Sequence, residues 1–382
     1  MASLALAAGC SGSPNTHPNG DATVPAATAT VAISPADGAT KVAPTGALRV
    51  TAAAGKLTRI TVTAPGDTNV PGKVSADRTT WTPSRPLRTG THYQVTATAQ
   101  DSSGHTVTQQ SAFTTLTPAH KAAATVNVVA GETYGVGMEV EVRFKDPVSD
   151  KAAVMRAITV SATPAVLVVG HWFGDDQVDF RPQQYWTPGT RATVHLRLDG
   201  VQTAPGAYGT QQQDITFAIG RSQISTIDDR TKQLLVVRDG KLVRTLPGSL
   251  GAPGHTTYNG QMVISEKYRV IDMDSRTVGL GSSYNIKDVP HAMRLTTSGT
   301  FIHGNYWRPS FVFGNQDTSH GCVGLRDVRG GGDPSTPAAW FYNNSLIGDV
   351  VIVKGTPDRT VQPGNGLNGW NMSWSAWTTT SS

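Results

Sequence analysis

Trp81-Thr82-Pro83, followed by Thr89-Gly90-Thr91-His92-Tyr93-Gln94-Val95, has a second copy in Phe180-Arg181-Pro182 followed by Pro188-Gly189-Thr190-Arg191-Ala192-Thr193-Val194. The Pro, Gly, Thr and Val of the two copies each lie 99 residues apart. Ile60-Thr61-Val62-Thr63 and Ile158-Thr159-Val160-Ser161 repeat at nearly the same spacing. An aromatic-x-Pro, a turn, then Gly-Thr opening an alternating strand is a β-sandwich pattern, and a period of about 100 residues is the size of one such domain. Apolar and polar residues alternate in Tyr93-Gln94-Val95-Thr96-Ala97-Thr98-Ala99 and at Val140, Val142 and Phe144, as half-buried antiparallel strands require. Pro65-Gly66-Asp67, Pro71-Gly72 and Pro188-Gly189 punctuate the gaps.

The two copies resemble bacterial immunoglobulin-like sandwiches, placed at 31–117 and 118–220. Neither contains a catalytic constellation, so they read as a stalk. His171 beside Trp172 reads as packing or surface. Composition agrees with a mainly β chain: of 382 residues, 40 are Gly and 23 Pro, and only 15% are charged. No run reaches the ~18 consecutive apolar residues of a membrane span. The net charge of +5 is mild. It is compatible with an anionic polymer such as a cell wall, and no basic cluster interleaved with aromatics points to nucleic acid.

Leu4-Ala5-Leu6-Ala7-Ala8-Gly9-Cys10, followed by the polar Ser11-Gly12-Ser13-Pro14-Asn15-Thr16, resembles the end of a bacterial lipoprotein signal, which makes Cys10 a lipidation candidate. The run lacks a basic start and is short, so a true start upstream is expected. The other reading is an Ala-rich terminus with an incidental cysteine. Residues 1–30 are this remnant and a flexible tether.

The pattern changes near residue 221. Gln233-Leu234-Leu235-Val236-Val237-Arg238, Asp239-Gly240 and Lys241-Leu242-Val243-Arg244 predict a hairpin, because Asp-Gly supplies the positive-φ pair of a type I′ turn. Thr300-Phe301-Ile302-His303 and Asp349-Val350-Val351-Ile352-Val353 read as strands. A helix follows Ser335 or Thr336 as cap, with Pro337 in its first turn. This last domain, 221–357, is therefore mostly β with one or two short helices. The tail, 358–382, carries Trp370, Trp374 and Trp377, which are expected to dock on the body or, in the rival reading, to stack on glycan.

Apart from Cys10, Cys322 is the chain's only cysteine, and it lies in Ser319-His320-Gly321-Cys322-Val323-Gly324-Leu325. His303-Gly304 precedes it. An imidazole lowers a thiol's pKa and favours the thiolate, the reactive nucleophile. In an extended segment His320 points the same way as the thiol. His303, at the end of a strand, is the other candidate base. Backbone N–H groups around Gly321 and Cys322 are candidates for an oxyanion hole. On the residues alone three readings stay open: an inert buried cysteine, a zinc ligand with the histidines (His291 among them), and an activated nucleophile.

Ile302-His303-Gly304-Asn305-Tyr306-Trp307 and Thr318-Ser319-His320-Gly321-Cys322-Val323 resemble the signature of the L,D-transpeptidase catalytic domain. So do residues 221–250, Met273-Asp274-Ser275-Arg276-Thr277, Trp340-Phe341-Tyr342 and the tail Gly366-Leu367-Asn368-Gly369-Trp370-Asn371. The two sandwiches and the Trp-bearing tail are similar to the lipid-anchored cell-wall members. The resemblance implies that Cys322 is the nucleophile and His303 its base. His320 would orient the thiol loop, with Ser319 and Gly304 in the same motif and the Gly321 and Cys322 amides as oxyanion donors. Tyr284, Met273 and Trp307 would contact substrate. It implies acyl transfer from the tetrapeptide stem of peptidoglycan, with loss of D-Ala and formation of a 3→3 cross-link. Hydrolysis by an L,D-carboxypeptidase, or a non-catalytic cell-wall-binding protein, are the alternatives. No metal or organic cofactor is implied; carbapenems are implied as inhibitors, and a lipid anchor facing the cell wall as the location. Gly324 departs from the family, which usually carries Asn or Arg two residues after the cysteine. Gly304 stands where some members have Ser, and Gly330-Gly331-Gly332-Asp333-Pro334 reads as a small insertion.

Overall fold

The computed structural model describes residues 27–66, 69–278 and 285–379. Cys10, Tyr284 and the expected tether up to residue 26 lie outside them. The chain forms two compact units: Met1–Arg85 with Thr91–Thr114, and Pro86–Gly90 with Thr115–Ser382.

The first unit is a sandwich of two four-stranded sheets. Strand His92–Gln100 buries Tyr93, Val95, Ala97 and Ala99 and turns the residues between them outward. Tyr93 stacks on Phe113 at 5.5 Å between ring centroids. Trp81 is buried, and a side chain at Gly72 would fall inside its indole.

The second unit begins with a sandwich of the same kind, again two four-stranded sheets, flanked by a three-stranded one. Phe180 takes the place of Trp81 and is covered by Gly170, where a Cβ would come within 2.6 Å of the ring. The two copies thus share one device: an aromatic ring packed against a glycine on the neighbouring strand.

A nine-stranded sheet completes the second unit. Its hairpin, Gln233–Arg238 to Lys241–Ser249, turns through Asp239 and Gly240, both at positive φ (47° and 78°). Near the other side of the sheet, Phe301–Asn305 and Val323–Arg326 run parallel, with His303 paired to Gly324 and Asn305 to Arg326. Parallel strands need a crossover. Here residues 306–322 make it, and they carry the Ser-His-Gly-Cys motif back to the strand beside His303. The helix Pro337–Asn344, capped by the Thr336 side chain accepting from Ala339 N–H, packs on these strands. Its Phe341 is fully buried, worth about 1.5–3 kcal/mol of hydrophobic stabilisation.

The tail runs from this sheet onto the second sandwich. Asn371 exchanges hydrogen bonds with Gln261, and Asn368 donates to the Leu295 carbonyl. Arg181 of the sandwich is enclosed by the Trp370, Trp374 and Trp377 rings at 4.7, 5.5 and 4.2 Å. Its Nη2 donates to the Gly369 and Met372 carbonyls. Glu139, also fully buried, accepts from Gly369 N–H. His171 packs on Trp377 and reaches its carbonyl at 2.9 Å.

Candidate active site

Cys322, His303, Met273, Trp307, Ser319 and His320 all line one cleft of about 160 Å³. His303 is buried and stacks on Trp307, rings 15° apart at 5.6 Å. Its Nδ1 is 2.9 Å from the Gly304 carbonyl. A carbonyl only accepts, so the proton sits on Nδ1 and Nε2 keeps its lone pair. Burial lowers the His303 pKa, with the Gly304 carbonyl and Asp327 acting in the opposite sense. The imidazole is therefore a neutral base at neutral pH.

Gly304 bears its carbonyl toward the imidazole and its Cα toward Asp327, where any Cβ would come within 2.8 Å of the Asp327 Cβ. Glycine is required by that close approach. Asp327 in turn accepts from Thr336 Oγ1 and lies 2.7 Å from His291 Nδ1. His291 is thereby committed to Asp327 in a buried support behind His303. Among the described residues no group of three or more His, Cys, Asp or Glu is arranged to hold a metal.

The motif loop is pinned from below. Thr318 and Ser319 N–H groups share the Leu250 carbonyl, and Ser319 Oγ donates to the Cys322 carbonyl at 2.6 Å. Gly321 N–H donates to Ser319 Oγ. This corrects one expectation: of the two amides assigned to an oxyanion, the Gly321 amide is already held by the serine turn. It corrects a second as well. Gly321 has φ of 108°, so the segment is not extended, and His320 is exposed with its ring against His255 at 4.9 Å. Burial, His255 and Arg308 all lower its pKa.

Cys322 is buried among Met273, Val289, Ala292 and Phe301. Its thiol faces the Gly299 carbonyl at 3.7 Å and receives the Phe301 N–H. Burial pushes the thiol up to about 11, far from the thiolate expected of an imidazole-paired cysteine. The reason is physical: an apolar pocket disfavours the anion, and a neutral imidazole offers it no positive charge. The resting site holds a neutral thiol and a neutral base. The Gly299 loop is itself held by the tail, since Asn365 Oδ1 accepts from Thr297 Oγ1 and Ser298 N–H.

Residues 39–202 match the family described as "Bacterial Ig domain", and residues 222–353 match "L,D-transpeptidase catalytic domain". L,D-transpeptidase 2 of Mycobacterium tuberculosis is 34% identical over 364 residues, 94% of this chain and 86% of the relative. The chain belongs to the L,D-transpeptidase family. L,D-transpeptidase 5 of the same species is 30% identical, covering 90% of this chain and 75% of the relative. A solved LD transpeptidase in complex with imipenem is 31% identical and superimposes with a TM-score of 0.51, over 62% of this chain and 100% of that one. This L,D-transpeptidase is therefore an enzyme with immunoglobulin-like sandwiches ahead of its catalytic sheet. Asn305, Arg308 and Ile286, which also line the cleft, were not singled out from the sequence. Nor was Arg181, although it stands in the second repeat where the first has Thr82.

Proposed function

We propose that this L,D-transpeptidase forms 3→3 cross-links in peptidoglycan. Cys322 attacks the carbonyl of the third residue of a tetrapeptide stem while His303 Nε2 takes the thiol proton. The tetrahedral intermediate collapses to a thioester and expels D-Ala, whose amine receives that proton. The side-chain amine of a second stem then attacks the thioester, gives its proton to His303, and the thiol leaves reprotonated. The observation that carries this reading is the pairing of a buried thiol with an imidazole whose Nδ1 proton is fixed by Gly304, both lining one cleft. A neutral thiol and a neutral base suit it, because the proton moves only when a carbonyl is present to accept the sulfur.

Cys322 is the nucleophile, His303 the base, and His320 with Ser319 holds the motif loop. Met273 and Trp307 line the donor groove, Tyr284 contacts the substrate, and the Cys322 N–H stabilises the oxyanion. Acylation by carbapenems follows from the same chemistry, as does L,D-carboxypeptidase activity when water replaces the amine. A lipid on Cys10 would place the enzyme outside the cytoplasmic membrane, facing the wall, with the sandwiches as spacer. Intact-mass analysis after imipenem exposure tests the nucleophile: the wild type gains an adduct and Cys322→Ala does not. An adduct that survives that substitution would remove Cys322 from the mechanism.

A further inference from the structure

Asn305 is 97% buried, with 3% of its surface exposed, and lines the cleft with His303 and Cys322. It lies two residues beyond His303 on the same strand and so faces the same side. Its Oδ1 accepts the Arg308 N–H at 3.1 Å, which fixes the orientation of the amide. Its Nδ2 donates to nothing among the described residues. Nδ2 is not sealed from solvent, and with Asn305 lining the cleft it is placed to donate to a molecule bound there.

Gly324 explains why the amide can stand there. It is paired with His303 across the parallel strands, and a Cβ built on it would lie 3.3 Å from Asn305 Nδ2 and 3.5 Å from Asn305 Cβ. Gly324 does not have positive φ, so no backbone demand calls for glycine. The space above it is taken by the Asn305 carboxamide. The unpaired donor therefore hangs over the strand that begins just after Cys322, on the face that carries His303.

We infer that Asn305 is a substrate-contacting residue. Its Nδ2–H donates to a backbone carbonyl of the donor stem peptide, laying the stem across Gly324 with the scissile carbonyl at Cys322. The inference rests on the L,D-transpeptidase reading of the cleft and adds to it the residue that holds the donor peptide.

The test compares Asn305→Asp, Asn305→Ala and Asn305→Ala/Gly324→Asn in the full chain. Aspartate keeps the oxygen that caps Arg308 N–H and removes the donor. Turnover of a disaccharide-tetrapeptide is followed by D-Ala release, and thiol integrity by iodoacetamide alkylation. Asn305→Asp is expected to keep its melting temperature and its alkylation rate, and to lose at least tenfold in kcat/KM, mostly through KM. The double variant, which moves the amide to the neighbouring strand, is expected to regain most of what Asn305→Ala loses. Wild-type kcat/KM in Asn305→Asp would overturn the inference. So would equal losses in turnover and alkylation, which would make Asn305 a structural support of the thiol. Should the wild type itself release no D-Ala, the functional reading falls first, and this assignment with it.

Discussion

With Nδ1 held by the Gly304 carbonyl and its pKa lowered by burial, His303 loses its role only when it is protonated. Acylation by imipenem is therefore expected to fall on the acid side, through an apparent pKa below the ordinary histidine value of 6.5. It should stay level from neutral pH to about pH 9, because the thiol does not ionise until about 11. A profile that instead rises through pH 8–9 would mark a free thiolate as the attacking species. His303→Ala is expected to lower acylation by about 100-fold or more, the scale of general-base catalysis. An unchanged rate would shift the base to His320. Gly304→Ser must push against Asp327, and should cost about 1–3 kcal/mol, seen as a lower melting temperature with the His291 support disturbed. At this scale the sequence singled out Cys322 and His303, which stand with Ser319 in a specific motif and line one cleft in the structure. Their ionisation was hidden. The neutral thiol depends on Met273, Val289 and Phe301, which come from three neighbouring strands of the sheet, 12 to 16 residues apart in sequence, and reach the sulfur only through the fold.

Two strands and a tail do the positioning. The parallel pair Phe301–Asn305 and Val323–Arg326 sets His303 opposite Gly324, and the tail buttresses the loop whose carbonyl meets the thiol. The tail's own anchor is Arg181. Replacing it with alanine removes three cation–π contacts and the hydrogen bonds to the Gly369 and Met372 carbonyls, a loss on the order of 2–3 kcal/mol. Arg181→Ala should thus lower the melting temperature and expose the tail after residue 358 to protease. A protected tail in that variant would mean that the indoles dock without it. Glu139 supplies a pH test. Burial raises its folded pKa to about 8, from an ordinary value of 4.5. Its contribution is full below pH 4.5 and is lost as pH rises through 8, because the native state holds the proton longer than the unfolded chain. Melting temperature should decline over that window in the wild type and less in Glu139→Gln; parallel curves would remove Glu139 as the cause. The hairpin at Asp239-Gly240 and the helix after Thr336 were legible because turn and cap chemistry are local. The Arg181 clasp was not, since its partners lie about 190 residues away in sequence.

On the scale of the whole molecule, the 99-residue repeat sufficed to read two sandwiches, and the motif sufficed to read the catalytic sheet. What no periodicity carries is that the second sandwich, the sheet and the tail make one compact unit. Tail, second sandwich and Gly299 loop are joined by hydrogen bonds within that unit, so the Cys322 thiol is supported by the second sandwich as well as by its own sheet. Losing the tail should then reduce thiol acylation as well as stability, and a version ending at residue 357 that acylates at the full rate would contradict that coupling. The most direct measurement for the central claim is incubation of the full chain with a disaccharide-tetrapeptide, read by mass spectrometry. Cysteine acyl transfer at Cys322 predicts released D-Ala together with a cross-linked dimer in the wild type, and neither in Cys322→Ala. Tripeptide and D-Ala without dimer would assign hydrolysis to the same site. Substrate left intact by the wild type, or consumed equally by Cys322→Ala, would contradict the account.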